Sequence, residues 1–194
     1  MKGPIIIKPT NKRLQEFVEK GLGFFNRLEA KEMMEARGED IPSITEQFVE
    51  DKMVAFGLTG EDLFNDYMLS KSCNSRIEII KRIVWRDEKA LFGKPTLCLL
   101  GPDGGNPLSK NPRICINAKY KNMALAFLKS KGIKFKPLYV NGQTESCVGK
   151  IADLAIDIVY SGSTIRELKL AVYDRIFSSD FVIIGGKNGS KELY

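Results

Sequence analysis

The most informative stretch of the sequence lies in its second half, where small hydroxyl residues surround one glycine in Ser161-Gly162-Ser163-Thr164. An apolar strand pattern precedes this loop and a helical pattern follows it. Backbone N–H groups, hydroxyls and the partial positive charge of a helix N-terminus would then converge on one point, an arrangement that holds a phosphate group. Gly162 would let the backbone approach an anion closely. The alternative is structural, with Ser161 capping the helix and Gly162 making a turn.

Two carboxylates accompany this loop, Asp153 before the apolar strand and Asp157 within it. They could contact the hydroxyls of a ribose or a magnesium ion. A carboxylate inside an apolar strand needs a partner, and ligand hydroxyls or a metal ion would supply one. Asp157 therefore favours the ligand-binding interpretation of the loop.

The first half of the sequence holds two further polar corners. They are Arg37-Gly38-Glu39-Asp40-Ile41-Pro42 and Gly57-Leu58-Thr59-Gly60-Glu61-Asp62, and each precedes a predicted helix. Each also fits a simple turn and helix cap, since acidic residues are favoured in the first turn of a helix. Glycine-bearing corners in separate halves of the chain together predict a ligand cleft between two lobes.

The elements that must position these residues alternate between strand and helix. Strands are predicted over residues 4–8, 53–58, 77–85, 96–100, 113–117, 135–140, 155–159, 171–177 and 181–184. Helices are predicted after a cap at Thr10 or Asn11 and over 43–52, 63–69, 122–131, 144–150 and 165–170. Residues 26–37 are ambiguous, with a helical composition that could hide a strand or loop. The alternation predicts an α/β fold with largely parallel sheets.

Composition excludes several kinds of chemistry. The 194 residues include 30 basic and 24 acidic side chains, a net charge of +6, and no histidine. Catalytic triads, histidine-ligated zinc and imidazole acid–base steps are therefore excluded. The four cysteines, Cys73, Cys98, Cys115 and Cys147, form no Cys-x-x-Cys pair, which favours reduced thiols.

The charge and the apolar pattern also bear on partners and location. The modest positive charge suits a small polyanionic substrate, and no basic stripe with interleaved aromatic residues supports nucleic-acid binding. No apolar run approaches the ~18 residues of a membrane span, and the N-terminus is too brief for a signal peptide. We therefore expect a soluble, cytoplasmic protein with no nucleic-acid or membrane partner.

Six motifs, in order over roughly residues 37–184, resemble those of the ATP phosphoribosyltransferases that open histidine biosynthesis. The most specific is the stretch 152–165, which is similar to the family's signature for phosphoribosyl pyrophosphate, Ala-Asp-x-x-x-Asp-x-Val-x-x-Gly-x-Thr-Leu. The others are Arg37-x-x-Asp40-Ile41-Pro42, Gly57-Leu-Thr-Gly60-Glu-Asp62, Phe92-Gly93-Lys94, Ala118-Lys119-Tyr120 and Gly142-Gln-Thr-Glu145, the last of these similar to Gly-Ser-Val-Glu.

The resemblance implies two α/β lobes of the type II periplasmic-binding-protein kind, with the active site in the cleft between them. Residues 1–92 with 174–194 would form the ATP lobe, and 93–173 the phosphoribosyl pyrophosphate lobe. In the implied reaction, an adenine ring nitrogen of ATP attacks the anomeric carbon of phosphoribosyl pyrophosphate in the presence of Mg²⁺, and pyrophosphate leaves. A histidine-free chain suits this chemistry, because positioning and charge neutralisation can supply most of the catalysis.

The resemblance also implies roles for particular residues. Ser161, Gly162, Ser163 and Thr164 would cradle the 5-phosphate, and Glu145, Asp153 and Asp157 would serve catalysis through ribose hydroxyls or magnesium. Asp157 is the candidate magnesium ligand, with the metal held mainly through the substrate. Arg13, Arg37, Thr59, Gly60 and Asp62 would form the ATP side, and Lys119 and Tyr120 either reach across the cleft or lie on the surface.

Departures from the family pattern leave alternatives open. Pro9-Thr-Asn-Lys12-Arg13-Leu14 replaces the usual Pro-Lys-Gly-Arg-Leu, and Leu168-Lys169-Leu170 replaces Asn-Gly-Leu. The length leads us to expect a divergent catalytic subunit without the C-terminal regulatory domain, so that histidine would not inhibit it through a third domain. A homodimer and a separate regulatory subunit are the implied partners. The alternatives are a related transferase with another acceptor, or a non-catalytic two-lobed sensor of small molecules.

Overall fold

A computed structural model describes residues 3–26, 32–71, 74–105 and 110–187. The chain divides into two compact units, unit 1 with residues 1–84 and 180–194 and unit 2 with residues 85–179. The sequence predicts these boundaries at 92/93 and 173/174. They fall elsewhere because the last strand of unit 2, residues 170–178, pairs with its neighbour up to Ser178, and because Trp85 packs on Tyr160 within unit 2. The substrate assigned to each unit stays a prediction.

Within the described residues, ten strands and five helices form the α/β fold that the sequence predicts. The strands are β1 (Ile5–Pro9), β2 (Glu32–Ala36), β3 (Ala55–Gly60), β4 (Ile77–Ile83), β5 (Thr96–Pro102), β6 (Arg113–Asn117), β7 (Lys136–Val140), β8 (Leu154–Val159), β9 (Leu170–Ser178) and β10 (Phe181–Gly186). The helices are α1 (Gln15–Gly23), α2 (Ile41–Glu50), α3 (Glu61–Ser70), α4 (Lys121–Ser130) and α5 (Ser163–Glu167). Short 3-10 helices lie at Lys12–Leu14, Ala118–Tyr120 and Thr144–Cys147. The sheets are mixed rather than largely parallel as predicted, because β10 and β5 each pair antiparallel with both of their neighbours.

Unit 1 is built on a five-stranded sheet in the order β2-β1-β3-β10-β4. Strand β1 runs parallel to β2 and β3, whereas β10 is antiparallel to β3 and β4. Apolar side chains of the central strands and of α2 and α3, such as Ile7, Ile41, Phe64 and Ile184, form its core. The three parallel strands direct their carboxyl ends, and the residues that follow, to one edge of this sheet.

Unit 2 contains a second five-stranded sheet in the order β7-β6-β8-β5-β9. Strand β6 runs parallel to β7 and β8, and β5 is antiparallel to β8 and β9. Its core includes Cys98, Leu100, Cys115 and Ala155. Cys98, Cys115 and the half-buried Cys147 are free thiols, as predicted, while Cys73 lies outside the described residues.

The structure changes several predicted elements. Part of the ambiguous stretch 26–37 forms β2, which pairs with β1, and residues 27–31 lie outside the described part. The predicted helix 144–150 is only a 3-10 turn, and the helix predicted at 165–170 runs from Ser163 to Glu167. Asn11 caps the 3-10 helix Lys12–Leu14 that leads into α1, and its side chain accepts the Arg13 N–H at 3.0 Å. In the described part of the chain, every helix is too short or too polar to cross a membrane.

Candidate active site

Three parallel strands bring the predicted phosphoribosyl-site residues to one edge of the sheet in unit 2. Asn117 ends β6, the Glu145 turn follows β7, and the 161–164 loop follows β8. The order β7-β6-β8 makes these three strands neighbours. Because ligands bind outside the carboxyl ends of parallel strands in α/β sheets, this edge is the candidate site of unit 2.

Asp157 is held at this edge by a residue that the sequence did not single out. Asp157 is only 7% exposed, and its Oδ1 accepts the Asn117 side-chain amide at 2.9 Å and the Ile158 N–H at 2.8 Å. Its second oxygen, Oδ2, accepts no hydrogen bond within the described part of the chain. The carboxylate is therefore oriented on one side and open to a further donor on the other. An asparagine at the end of an apolar strand was the available signal for Asn117.

Glu145 lies beside Asp157 without comparable support. Burial raises the pKa of Glu145, and the negative charge of Asp157 raises it further, against the lowering effect of its own backbone N–H. Burial also raises the pKa of the Cys115 thiol to about 12, with contributions from Cys147, Asp157 and Glu145. Glu145 and Asp157 therefore repel each other electrostatically, and the buried Cys115 thiol is influenced by the charge of both.

The 161–164 loop has the conformation that its glycine predicts. Gly162 has φ +72°, in the left-handed region, and its carbonyl accepts the Arg166 N–H at 3.1 Å at the start of α5. The Ser161 and Ser163 hydroxyls lie 2.9 Å apart, and both residues are exposed together with Thr164. A Cβ placed on Gly162 would lie 3.1 Å from Cδ2 of Leu91 and 3.4 Å from Nη1 of Arg166.

Arg166 is a second residue to which the sequence assigned no role. Its guanidinium folds back over Gly162 and is exposed, so the loop presents hydroxyls beside a positive charge. The signal was its position four residues after the glycine, which places it one helical turn away. Together the loop and Arg166 can bind an anion.

Asp153 does not join this group. It precedes β8 at the other end of the six-residue strand, where its Oδ2 accepts the Arg113 backbone N–H at 2.7 Å. Arg113 also donates a side-chain hydrogen bond to the Ile151 carbonyl at 2.8 Å. These contacts tie the amino ends of β6 and β8 together and favour a structural role for Asp153.

The predicted ATP-side residues also share one sheet edge, in unit 1. Arg13 follows β1, Arg37 follows β2, and Thr59 and Gly60 end β3. The buried Thr59 donates its hydroxyl to the Gly38 carbonyl at 2.9 Å, which joins two of these corners. Arg13 and Arg37 are exposed, whereas Asp62 is buried in the first turn of α3. This edge offers two cations on a fixed backbone.

Lys119 and Tyr120 lie in the 3-10 turn after β6. The Lys119 backbone N–H donates to Oδ1 of Asn117 at 3.2 Å, so this turn helps to orient the amide that holds Asp157. Lys119 is exposed and Tyr120 is buried. The backbone of the turn, rather than its side chains, makes the contact to the site residue.

The fold places the chain in a class of two-domain α/β proteins. Its structure resembles the periplasmic aliphatic sulphonate-binding protein SsuA from Escherichia coli, with a TM-score of 0.57, 10% identity, and coverage of 99% of this chain and 67% of that one. It resembles more strongly the ATP phosphoribosyl transferase (HisG:HisZ) complex from Thermotoga maritima, with a TM-score of 0.74, 20% identity, and coverage of 99% and 92%. The predicted fold class is confirmed.

Sequence comparison then defines the family. The family model for ATP phosphoribosyltransferase matches residues 37–193, and the chain belongs to this family. The ATP phosphoribosyltransferases of Metallosphaera sedula and Bacteroides fragilis are 31% and 33% identical over 169 and 164 residues. These matches cover 84% and 83% of this chain but 53% and 52% of the relatives. The chain thus spans about half the length of the curated relatives it matches.

Proposed function

We propose that this chain transfers the phosphoribosyl group of phosphoribosyl pyrophosphate to an adenine ring nitrogen of ATP, the first step of histidine biosynthesis. Family membership supports this function. The observation that carries it is the sheet edge of unit 2, where a hydroxyl loop with an arginine lies at the end of the strand that bears Asp157. An anion site beside an oriented carboxylate suits a sugar phosphate.

In this reaction the bond from the anomeric carbon to the adenine nitrogen forms while the bond to pyrophosphate breaks. The attacking ring nitrogen carries no proton and has a free lone pair, so the new bond can form without a general base. The 161–164 loop and Arg166 hold the 5-phosphate. Asp157, through its open Oδ2, and Glu145 accept hydrogen bonds from ribose hydroxyls and stabilise positive charge that develops on the sugar.

Magnesium fits this site as a substrate-bound ion. Within the described residues, no group of three or more acidic or cysteine side chains is arranged to hold a metal ion. Mg²⁺ commonly binds through one or two carboxylates plus substrate phosphates, and Asp157 with Glu145 would provide that protein side. When bound, the ion would neutralise charge on the leaving pyrophosphate.

The ATP side rests on the edge of unit 1. Arg13 and Arg37 supply positive charge for the triphosphate, while Gly60 and Asp62 border the same edge. Thr59 acts through its hydrogen bond to Gly38, which fixes the Arg37 corner, because its hydroxyl is already engaged. The altered segment 9–14 favours one alternative, a transferase with an acceptor other than ATP, since the family's glycine is missing there and Asn11 accepts the Arg13 N–H.

Partners and location belong to the same proposal. The Thermotoga maritima neighbour is a complex of two different proteins, and this supports a separate regulatory subunit for the present chain. Association into a homodimer and a cytoplasmic location are predictions from the family.

The test is the rate of pyrophosphate release from phosphoribosyl pyrophosphate, ATP and Mg²⁺ for wild type, Asp157→Asn and Asp153→Asn. We expect Asp157→Asn to lose about 100-fold in kcat/KM, a typical cost of removing one group that stabilises transition-state charge. Asp153→Asn, just before the same strand, is the matched control and should stay within a few-fold of wild type.

Binding measured in parallel distinguishes the alternatives. Phosphoribosyl pyrophosphate should raise the melting temperature of the wild-type protein, whereas ribose 5-phosphate and pyrophosphate should not. If phosphoribosyl pyrophosphate stabilises the protein and turnover occurs only with another base, that base rather than ATP is the acceptor. Specific stabilisation without turnover on any base, with or without a regulatory subunit, would favour the sensor. The absence of both stabilisation and turnover would refute the transferase function.

A further inference from the structure

Tyr160 is the residue immediately before the 161–164 loop, and it is held by residues from the first part of unit 2. Its carbonyl accepts the Leu91 N–H at 2.7 Å, and its hydroxyl donates to Oδ2 of Asp87. The Trp85 ring packs edge-on against the Tyr160 ring, with centroids 6.1 Å apart and planes at 73°. Backbone, hydroxyl and ring of Tyr160 are thus all engaged by residues 85–93, here called the 85–93 segment.

The 85–93 segment has its own internal hydrogen bonds. The Asp87 N–H donates to the Gly93 carbonyl and the Gly93 N–H to the Ala90 carbonyl, both at 2.9 Å, and the Ala90 N–H donates to the Asp87 carbonyl at 3.0 Å. Oδ1 of Asp87 accepts the Lys89 N–H at 2.9 Å, which leaves Oδ2 directed at Tyr160. The Asp87 carboxylate is therefore fixed by its own segment before it engages Tyr160.

The same segment touches the other side of the loop. Cδ2 of Leu91 would lie 3.1 Å from a Cβ on Gly162, so this side chain packs against the loop glycine. Leu91 is nonetheless 45% exposed, so it contributes a contact to the loop rather than a buried core position. The residues on both sides of Ser161 are consequently restrained by one short segment that lies about 70 positions earlier in the chain.

We propose that Asp87 and Tyr160 are positioning residues that hold the 161–164 loop in the geometry that receives the phosphate of phosphoribosyl pyrophosphate. The proposal rests on the function proposed above. Neither residue bonds the substrate; they act through the backbone of the loop. A purely structural role would instead make both residues matter for the stability of unit 2 and leave ligand affinity unchanged.

The test compares the dissociation constants of phosphoribosyl pyrophosphate, with Mg²⁺, for wild type, Tyr160→Phe, Asp87→Ala and the double variant. We expect each single change to weaken binding about five-fold, the typical value of one hydrogen bond. The double variant should be no weaker than either single one, because both changes break the same contact. Asp87→Asn keeps an acceptor oxygen and should recover part of the affinity.

Tyr139→Phe is the matched control. Tyr139 lies on β7 of the same unit and is 39% exposed against 37% for Tyr160, but its ring, rather than its hydroxyl, makes its contact, with Nζ of Lys121 at 5.2 Å. The affinity of the Tyr139→Phe variant for phosphoribosyl pyrophosphate should equal that of wild type. The KM for ATP should be unchanged in all variants, since the effect is confined to the phosphate loop.

Hydrogen exchange of the Ser163 and Thr164 amides in the ligand-free protein separates this inference from the proposed function. Faster exchange in Tyr160→Phe and Asp87→Ala, but not in Tyr139→Phe, is expected. If wild type fails to bind phosphoribosyl pyrophosphate while exchange rises as expected, the proposed function fails and the restraint on the loop stands. Affinity and exchange both within two-fold of wild type in the two variants, or additive losses in the double variant, would overturn the inference.

Discussion

Two glutamates, the buried Glu46 in unit 1 and the half-buried Glu145 in unit 2, differ in what surrounds them. Burial alone would raise the pKa of Glu46 in unit 1, yet hydrogen bonds from Tyr67, Ser75, the Arg76 N–H and Lys71 lower it to about 2. In unit 2, burial and the charge of Asp157 raise the pKa of Glu145, and its own N–H is the one group that opposes them. The protein therefore supplies several donors to one carboxylate and few to the other.

The geometry explains this difference. Glu46 on α2 is 3% exposed and accepts hydrogen bonds from the Arg76 N–H at 2.7 Å and from the Tyr67 hydroxyl. It also forms an ion pair with Lys71 at 3.3 Å. These donors join α2, α3 and the chain before β4. Glu145 occupies a short turn at the candidate site, where the neighbouring Thr144 hydroxyl is buried without a hydrogen-bond partner among the described residues. The donors around Glu46 favour a structural role for it, whereas the sparse support of Glu145 makes it a candidate site residue.

The strongest test of the comparison is Glu46→Gln. We expect the free energy of unfolding at pH 7 to fall by on the order of 3 kcal/mol, because the change removes the charge that several donors were arranged to stabilise. Urea unfolding measures it. Glu50→Gln, an exposed position on the same helix, is the control and should change little. Equal losses in the two variants would show that the network does not stabilise the fold.

The pH dependence of stability follows from the same carboxylate. The pKa of Glu46 falls from 4.5 to about 2 on folding, so its contribution is complete above about pH 4.5 and is lost as the pH falls towards 2. In Glu46→Gln this acid-induced loss of stability should become smaller.

The pH dependence contributed by Glu145 has the opposite sign. Its raised pKa means that protonation favours the folded state, so its contribution to the free energy of unfolding grows as the pH falls through the folded pKa. Unfolding curves from pH 7 to pH 2 check both, and an unchanged acid limb in Glu46→Gln would contradict the first.

Glu145→Gln should separate stability from binding. We expect the stability at pH 7 to stay the same or rise slightly, because the penalty of a buried charge beside Asp157 disappears. The dissociation constant of phosphoribosyl pyrophosphate should rise about ten-fold, since a ribose hydroxyl loses a charged acceptor. Calorimetric titration measures the affinity. The matched control is Glu167→Gln, an exposed glutamate on α5, and a Glu145→Gln affinity equal to that of this control would remove Glu145 from the site.

The smallest expected effect concerns the residue beside Glu145. Thr144→Val removes a fully buried hydroxyl that has no hydrogen-bond partner among the described residues, introduces the valine of the similar motif Gly-Ser-Val-Glu, and should stabilise the fold by about 1 kcal/mol. Thr96→Val is the control, since the Thr96 hydroxyl lies 3.0 Å from the Ser178 hydroxyl and 3.2 Å from the Lys94 carbonyl. That variant should lose stability. Equal losses in both variants would mean that the Thr144 hydroxyl has a partner after all.

Much of the candidate site follows from local sequence. The strand with Asp157, the hydroxyl residues around Gly162 and the helix after them are adjacent in the chain, so their pattern predicts their arrangement. The family pattern added Glu145, which the structure brings next to Asp157. Asn117 and Arg166 escaped notice because their contacts, to Asp157 and to the loop glycine, involve side-chain directions that residue types alone do not encode.

Other predictions failed where the outcome depended on distant pairing. Strand β2 has five residues with four exposed, so it lacks an apolar pattern, and it becomes a strand only because β1 is available at its side. The turn at 144–147 was predicted as a longer helix because its composition permits one. The Glu46 network joins residues 21 and 30 positions apart and had no signature in the sequence.

By itself the sequence determined the α/β class, the family, and a candidate phosphate loop around Gly162, because each of these depends on neighbouring residues and on local backbone conformation. Only the tertiary structure decided which of two aspartates, one just before β8 and one within it, stands at the candidate site. Asp157 meets Asn117 from β6 near the loop, and Asp153 meets Arg113 at the opposite end. The physical reason is that the surroundings of a carboxylate are supplied by strands 40 residues away, so its role is set by sheet order and direction rather than by its own neighbours.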